Sequence, residues 1–301
     1  MKKTLFPLCF LAALLPTQVA AQNLRPSDVD ALPSSEPSYI GSYGADPKQI
    51  GELRIPEGNG PFPVVVMIHG GCWTEGYATM RNTAAVASAL TTKGVATWNI
   101  EYRQVGEPGA GWPGTFLDWG MATDHLRVLA KDHPLDLTNI TVVGHSAGAH
   151  AALFVGSRPR LPDHSEIRGN DPLQVNSIVA IDGPADLRSF VQIDEEICGK
   201  PVIAPLLGGT IKDQEQRYAE ASPITHLPLR TRQALISSSA VLAPEVAEEY
   251  RAVAAMAGDK VDVRVFAESG HFEVIAPRTS EWASIEAIIL SFAGIDRERA
   301  D

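Results

Sequence analysis

The chain has 301 residues, 45% of them hydrophobic and 20% charged, with 36 acids against 25 bases and a formal charge of −11. That length suits one larger α/β domain or two small ones, and the apolar content excludes a disordered chain. An acidic chain without a basic block argues against nucleic acid or an anionic membrane surface as partner.

Lys2 and Lys3 precede an apolar stretch, Leu5 to Leu15, and Val19-Ala20-Ala21 ends in small residues before Gln22. The pattern reads as a signal peptide over residues 1–21, with export to the periplasm or beyond and no stable membrane anchor. Cys9 would leave with the leader, so Cys72 and Cys198 remain. In an oxidising compartment they pair or stay as separate thiols, and sequence alone leaves both open. Residues 22–38, rich in Pro, Ser and Asp, read as a mobile lead-in to a single domain over 39–301.

From there strands and helices alternate. Pro63 to Ile68 is a continuous apolar run rich in β-branched residues, a strand buried on both faces. Thr79 to Lys93 reads as a helix, Gly94 to Ile100 as a strand, and Phe116 to Lys131 as a helix that Pro134 stops. Asn139 to Gly144 is a further buried strand, followed by a small-residue helix over Ala147 to Val155. Val175–Ile181, Ala234–Ser237 and Val261–Phe266 give three more strands, and Pro244–Ala257 and Ser280–Phe292 two more helices. This alternation predicts an α/β fold with a mainly parallel sheet and helices on both faces. Ser157–Gln174 and Gly183–Arg232 break the rhythm as long Pro- and Gly-rich excursions, expected to act as lid-like insertions over one end of the sheet.

Gly144-His145-Ser146-Ala147-Gly148 is a G-x-S-x-G between a strand and a helix. Glycines two places either side permit the tight turn that exposes a serine hydroxyl, so Ser146 is the candidate nucleophile. His69-Gly70-Gly71-Cys72-Trp73 follows an earlier strand. Its adjacent glycines let backbone N–H groups approach a carbonyl oxygen. Gly70, Gly71 and Cys72, with Ala147 after the serine, form the candidate oxyanion hole. His271, just beyond the last strand, is the candidate base, in the chain order nucleophile then histidine. The other seven histidines flank the glycine motifs, lie in or near helices, or fall in the irregular stretches. Trp73, Tyr77, Trp112, Phe116 and Trp119 line a pocket or simply pack. No residue cluster has metal-ligand spacing, and no cofactor motif is present.

These motifs, with Tyr43-Gly44, Gln49, Pro56, Tyr102-Arg103, Asp118, His150, Ala221-Ser222-Pro223 and Phe272, resemble the α/β-hydrolase superfamily. The likeness is to its hormone-sensitive-lipase-like carboxylesterase and kynurenine formamidase branch, over nearly the whole chain beyond the leader. It implies an α/β-hydrolase fold and hydrolysis of a small ester or amide through an acyl-enzyme. It also implies that Arg103 and Asp118 form a structural polar pair, and that Asp186 is structural.

The chain departs from that family at one position. Where the family carries its catalytic aspartate this sequence reads Ser237-Ser238-Ser239-Ala240-Val241-Leu242, and a hydrocarbon cannot orient an imidazole. Asp182, after Ile178–Ile181, is the preferred substitute acid, and Glu245 the alternative. The expected function is a secreted serine esterase for small carboxylic esters. An arylformamidase is the alternative, and a catalytically impaired binding protein on a hydrolase scaffold is a third reading. The partner is a small-molecule ester or amide, and a homodimer is compatible with the sequence.

Overall fold

The computed structural model describes residues 23–295, so the leader with Cys9 lies outside the described residues. Eight strands form one sheet: β1 (Tyr39–Ser42), β2 (Ile50–Arg54), β3 (Phe62–Ile68), β4 (Ala96–Ile100), β5 (Leu135–His145), β6 (Ser177–Ile181), β7 (Arg232–Ser237) and β8 (Val261–Val265). Their spatial order is β1-β2-β4-β3-β5-β6-β7-β8, with β1 and β2 antiparallel and the other six parallel. The helices are α1 (Pro26–Asp30), α2 (Arg81–Thr91), α3 (Gly114–Asp124), α4 (Leu126–Leu129), α5 (Ala147–Ser157), α6 (Leu187–Phe190), α7 (Asp194–Cys198), α8 (Ile203–Leu207), α9 (Glu215–Ala221), α10 (Pro244–Ala257) and α11 (Trp282–Phe292).

The two-residue period of a strand sorts β3 between two cores. Val64, Val66 and Ile68 join α3, α5 and α10 on one face, while Val65 and Met67 join α2 and α11 on the other. The α/β-hydrolase fold expected from the sequence is the one observed. Among the described residues no helix is long and apolar enough to cross a membrane.

Three expectations change. The stretch read as a lead-in carries α1, which packs on α2 and buries Val29 in the second core, so its apolar residue finds a partner. β1 and β2 were not among the expected strands, because Gly41, Gly44 and Gly51 and the polar residues around them hide the alternation. A Cβ on Gly51 would sit 2.5 Å from the Trp98 ring, so there the missing side chain is what admits β4's tryptophan. The third change concerns the insertions. Gly183–Arg232 leaves from the C-terminal end of β6, beside Ser146, and folds into α6 to α9. Ser157–Gln174 instead leaves from the far end of α5 and is anchored there by the Arg158–Asp124 ion pair at 2.7 Å. Only the first of these reaches the cavity described below.

The sheet and α5 approach so closely that side chains are excluded. A Cβ on Gly148 would lie 2.1 Å from the Ile68 carbonyl oxygen and 2.6 Å from that of His69. Gly148→Ala is therefore expected to cost about 1–3 kcal/mol or more in urea denaturation, since backbone must move to admit one methyl group.

Candidate active site

Ser146 caps α5 at the end of β5 with φ 57° and ψ −122°, a conformation rare for a residue with a side chain. Its amide donates to the Ile181 carbonyl at 2.8 Å, which ties the turn to the neighbouring strand. Gly144 and Gly148 make the turn sterically possible, because a Cβ on Gly144 would collide with the Gly148 carbonyl at 1.8 Å. The Ser146 hydroxyl makes no hydrogen bond among the described residues, and Ser146 and His271 line the same cavity of about 390 Å3.

Asp182 follows β6 directly. The registers His145↔Ile181 and Ile181↔Ile236 place it between the nucleophile strand and β7. Its side chain is fully buried, and its Oδ2 accepts a hydrogen bond from His271 Nδ1 at 2.7 Å. The Ser238 hydroxyl donates to the same oxygen, while the amides of Ser238 and Leu242 donate to Oδ1 at 3.1 and 3.0 Å. Burial pushes the Asp182 carboxyl up. The His271 hydrogen bond and charge, with the Ser238 and Leu242 donors, outweigh this and hold it below the ordinary carboxylate value. The segment that lacks the family's aspartate thus supplies backbone N–H groups to an aspartate one strand away. Glu245 lies exposed in the first turn of α10 and makes no hydrogen bond to His271.

His145 fixes the base from the other side. Its Nε2 donates to the His271 carbonyl at 2.8 Å, and the two rings lie 4.3 Å apart. Burial, with the nearby His271, depresses the His145 imidazole to about 3, so it stays neutral there. On the helix after the nucleophile, His150 donates from Nε2 to the Ala221 carbonyl at 2.7 Å. Burial lowers it to about 4.

The amides of Gly71, Cys72 and Ala147 donate to no acceptor among the described residues, and Gly71 and Cys72 line the cavity. Gly71 and Cys72 have φ of 102° and 51°. Gly70 stands behind the turn rather than on the cavity wall. A Cβ on it would meet the Ser146 Cβ at 2.8 Å, and its carbonyl accepts the Tyr102 hydroxyl at 3.2 Å. Beneath it, buried His69 pairs with Glu101 at 2.8 Å. Burial raises the Glu101 carboxyl, but His69 and the Met80 and Tyr102 amides bring it below its ordinary value.

Cys72 and Cys198 form a disulfide across 126 residues, joining the oxyanion turn to α7. Helix α7 contributes Glu196 and Ile197 to the cavity wall, which Tyr77, Val241 and Phe272 also line. Of the five aromatics considered for lining, Tyr77 alone does so. Trp73, Phe116 and Trp119 are buried in the first core, and Trp112 stacks under Arg217 at another surface. Pro26 of α1 also lines the cavity, a contribution hidden in a stretch without a motif. Arg103 and Asp118 pair through two hydrogen bonds, of 2.8 and 2.6 Å, joined by Gln49. Asp186 caps α6 and pairs with Arg188.

The buried imidazoles give stability a definite pH slope. The unfolded chain protonates histidine near pH 6.5, whereas folded His150 takes a proton only near 4 and His145 only near 3. Between those values acid loads the unfolded state first, so stability falls as pH falls. His150→Gln is expected to shrink the stability difference between about pH 7.5 and about pH 5 by about 2 kcal/mol, read by urea denaturation at each pH. An undiminished difference would show that His150 is not the source.

A family model, BD-FAE, matches residues 53–239. The esterase LipC of Mycobacterium tuberculosis is 28% identical over 193 residues, which cover 60% of this chain and 45% of that protein. The chain thus spans less than half the length of that relative. Esterase B from Lactobacillus rhamnosis superposes with a TM-score of 0.72 at 18% identity, covering 91% of both chains. A truncated carbohydrate esterase from gut microbiota gives 0.71 at 18% identity, covering 86% of this chain and all of that one. These likenesses show the fold, and the family match spans more than half of the sequence: the chain belongs to the BD-FAE family.

Proposed function

We propose that the protein is a carboxylic ester hydrolase acting on small, mostly neutral esters through a Ser146–His271–Asp182 triad. The observation that carries this reading is the 2.7 Å His271–Asp182 hydrogen bond, beside an unbonded Ser146 hydroxyl and unpaired amides in one cavity. The esterase names among its relatives support it.

In this reading Ser146 Oγ attacks the ester carbonyl carbon and His271 Nε2 takes the hydroxyl proton. Asp182 holds Nδ1–H, so that Nε2 is the bare nitrogen, and then stabilises the imidazolium. The amides of Gly71, Cys72 and Ala147 receive the negative charge that develops on the carbonyl oxygen. The imidazolium returns its proton to the departing alcohol, leaving an acyl-Ser146. Water, deprotonated by the same nitrogen, then releases the carboxylic acid. The apolar walls from Tyr77, Ile197, Val241 and Phe272 suit an uncharged acyl or alcohol group. Glu196, the carboxylate on the wall, would repel an anionic one. The leader pattern and the Cys72–Cys198 bond both support export to an oxidising compartment. The missing aspartate that motivates a binding-scaffold reading has a counterpart in Asp182.

A p-nitrophenyl ester series from C2 to C12 tests the assignment on wild type and three variants. Ser146→Ala is expected to abolish turnover, Asp182→Asn to lower kcat by about 10⁴, and Glu245→Gln to stay within about twofold. Equal rates for wild type and Ser146→Ala would sink the esterase reading with these substrates. Faster turnover of an aryl formamide than of the short esters would put the amide hydrolase first.

A further inference from the structure

The backbone of the oxyanion turn is held in an unfavourable conformation. Gly71, Cys72 and Trp73 follow one another with φ of 102°, 51° and 53°. For the two residues with side chains, the left-handed region costs about 1–2 kcal/mol each. Such a turn persists only where its surroundings hold it. Trp73 is held by its buried ring, packed on His150 and Phe190, and by the Val105 amide on its carbonyl. Cys72 is held differently. Its carbonyl accepts the Thr74 hydroxyl, a contact within the turn itself, and its link to a distant element is the disulfide to Cys198. Helix α7, which ends at Cys198, is moored in its turn. The Tyr77 hydroxyl donates to the Cys198 carbonyl at 2.8 Å, and buried Asp194 accepts the amides of Val202 and Ile203.

We propose that Cys198 is a positioning residue for the oxyanion hole. Through the disulfide, α7 keeps Cys72 in its left-handed conformation and its amide turned into the cavity. The same helix carries Glu196 and Ile197 on the cavity wall, so hole and wall form one fastened unit. The inference rests on the ester hydrolase reading above. Reduction by a dithiol transfers two electrons and two protons to the bond, yielding two cysteine thiols and the cyclic disulfide of the reductant. The turn is then free to relax to right-handed φ, which rotates the Cys72 amide away from the reacting oxygen.

The test compares oxidised wild type, the same protein in dithiothreitol, the protein reoxidised, and Cys198→Ser. Turnover of p-nitrophenyl acetate is divided by the serine titrated to end point with a fluorophosphonate, which removes any unfolded fraction. Amide hydrogen exchange is read over residues 70–74. Loss of one oxyanion donor predicts a kcat per titrated serine lower by about tenfold to a hundredfold. The KM should stay within about threefold, exchange at the turn should quicken, and reoxidation should restore both. A kcat per titrated serine within twofold of the oxidised protein overturns the proposal, and so does unchanged exchange at 70–74. If Cys198→Ser does not fold, the reduced wild type decides. If oxidised wild type turns over no ester, the hydrolase reading fails, and the exchange comparison still decides whether the disulfide holds the turn.

Discussion

A buried carboxylate must fill its lone pairs or lose its charge, and the active end of this sheet is arranged around that demand. Asp182 has no exposure to water, and four donors from two loops converge on it. The loop after β7 wraps so that Ser238 and Leu242 present their amides. The loop after β8 turns so that His271 presents Nδ1. Because β6 lies between the nucleophile strand and β7, satisfying one side chain orders both loops next to Ser146. This hydrogen bond, with the His145 and Phe272 rings packed against it, fixes the orientation of the His271 imidazole.

A second constraint is closeness. Gly144, Gly148 and Gly183 stand where a Cβ would strike backbone at about 2 Å, all within reach of Ser146. The absence of side chains lets β3, β5, β6 and α5 press together, and Ser146 is driven into positive φ as a result. The turn at Ser146 therefore holds its shape by exclusion of alternatives, with buried His145 filling the space behind it.

Much of this was legible from the chain itself. Unbroken β-branched runs such as Val64-Val65-Val66 announce strands buried on both faces, and the paired glycine motifs announce the two turns. Asp182 is legible as a candidate because it ends a strand where the resembled family carries a small residue, so that a lost aspartate is matched by a gained one. The sequence favours it over Glu245, but its contact with His271 and with the loop after β7 needs three dimensions, since the adjacency of β6 and β7 is a property of sheet order rather than of sequence. The disulfide was undecidable for the same reason, with 126 residues between its ends. β1 and β2 escaped notice because their glycines break the alternation, and the part played by Pro26 because one proline in a polar stretch carries no periodic signal. The aromatics stay open between lining and packing at the level of sequence, since a tryptophan that fills a core reads like one that lines a pocket.

The disulfide also divides the proposed triad topologically. Residues 72 to 198 form a closed covalent ring that contains both Ser146 and Asp182, whereas His271 lies outside it on a segment that follows the edge strand β8. Among the described residues strand β8 pairs with β7 alone, and three of its five residues are exposed and a fourth half-buried. Detachment of that edge would carry off His271 while Ser146 and Asp182 stay linked inside the ring. The proposed triad thus has unequal anchorage: two members lie within one covalent ring, and the third is borrowed from the margin of the sheet.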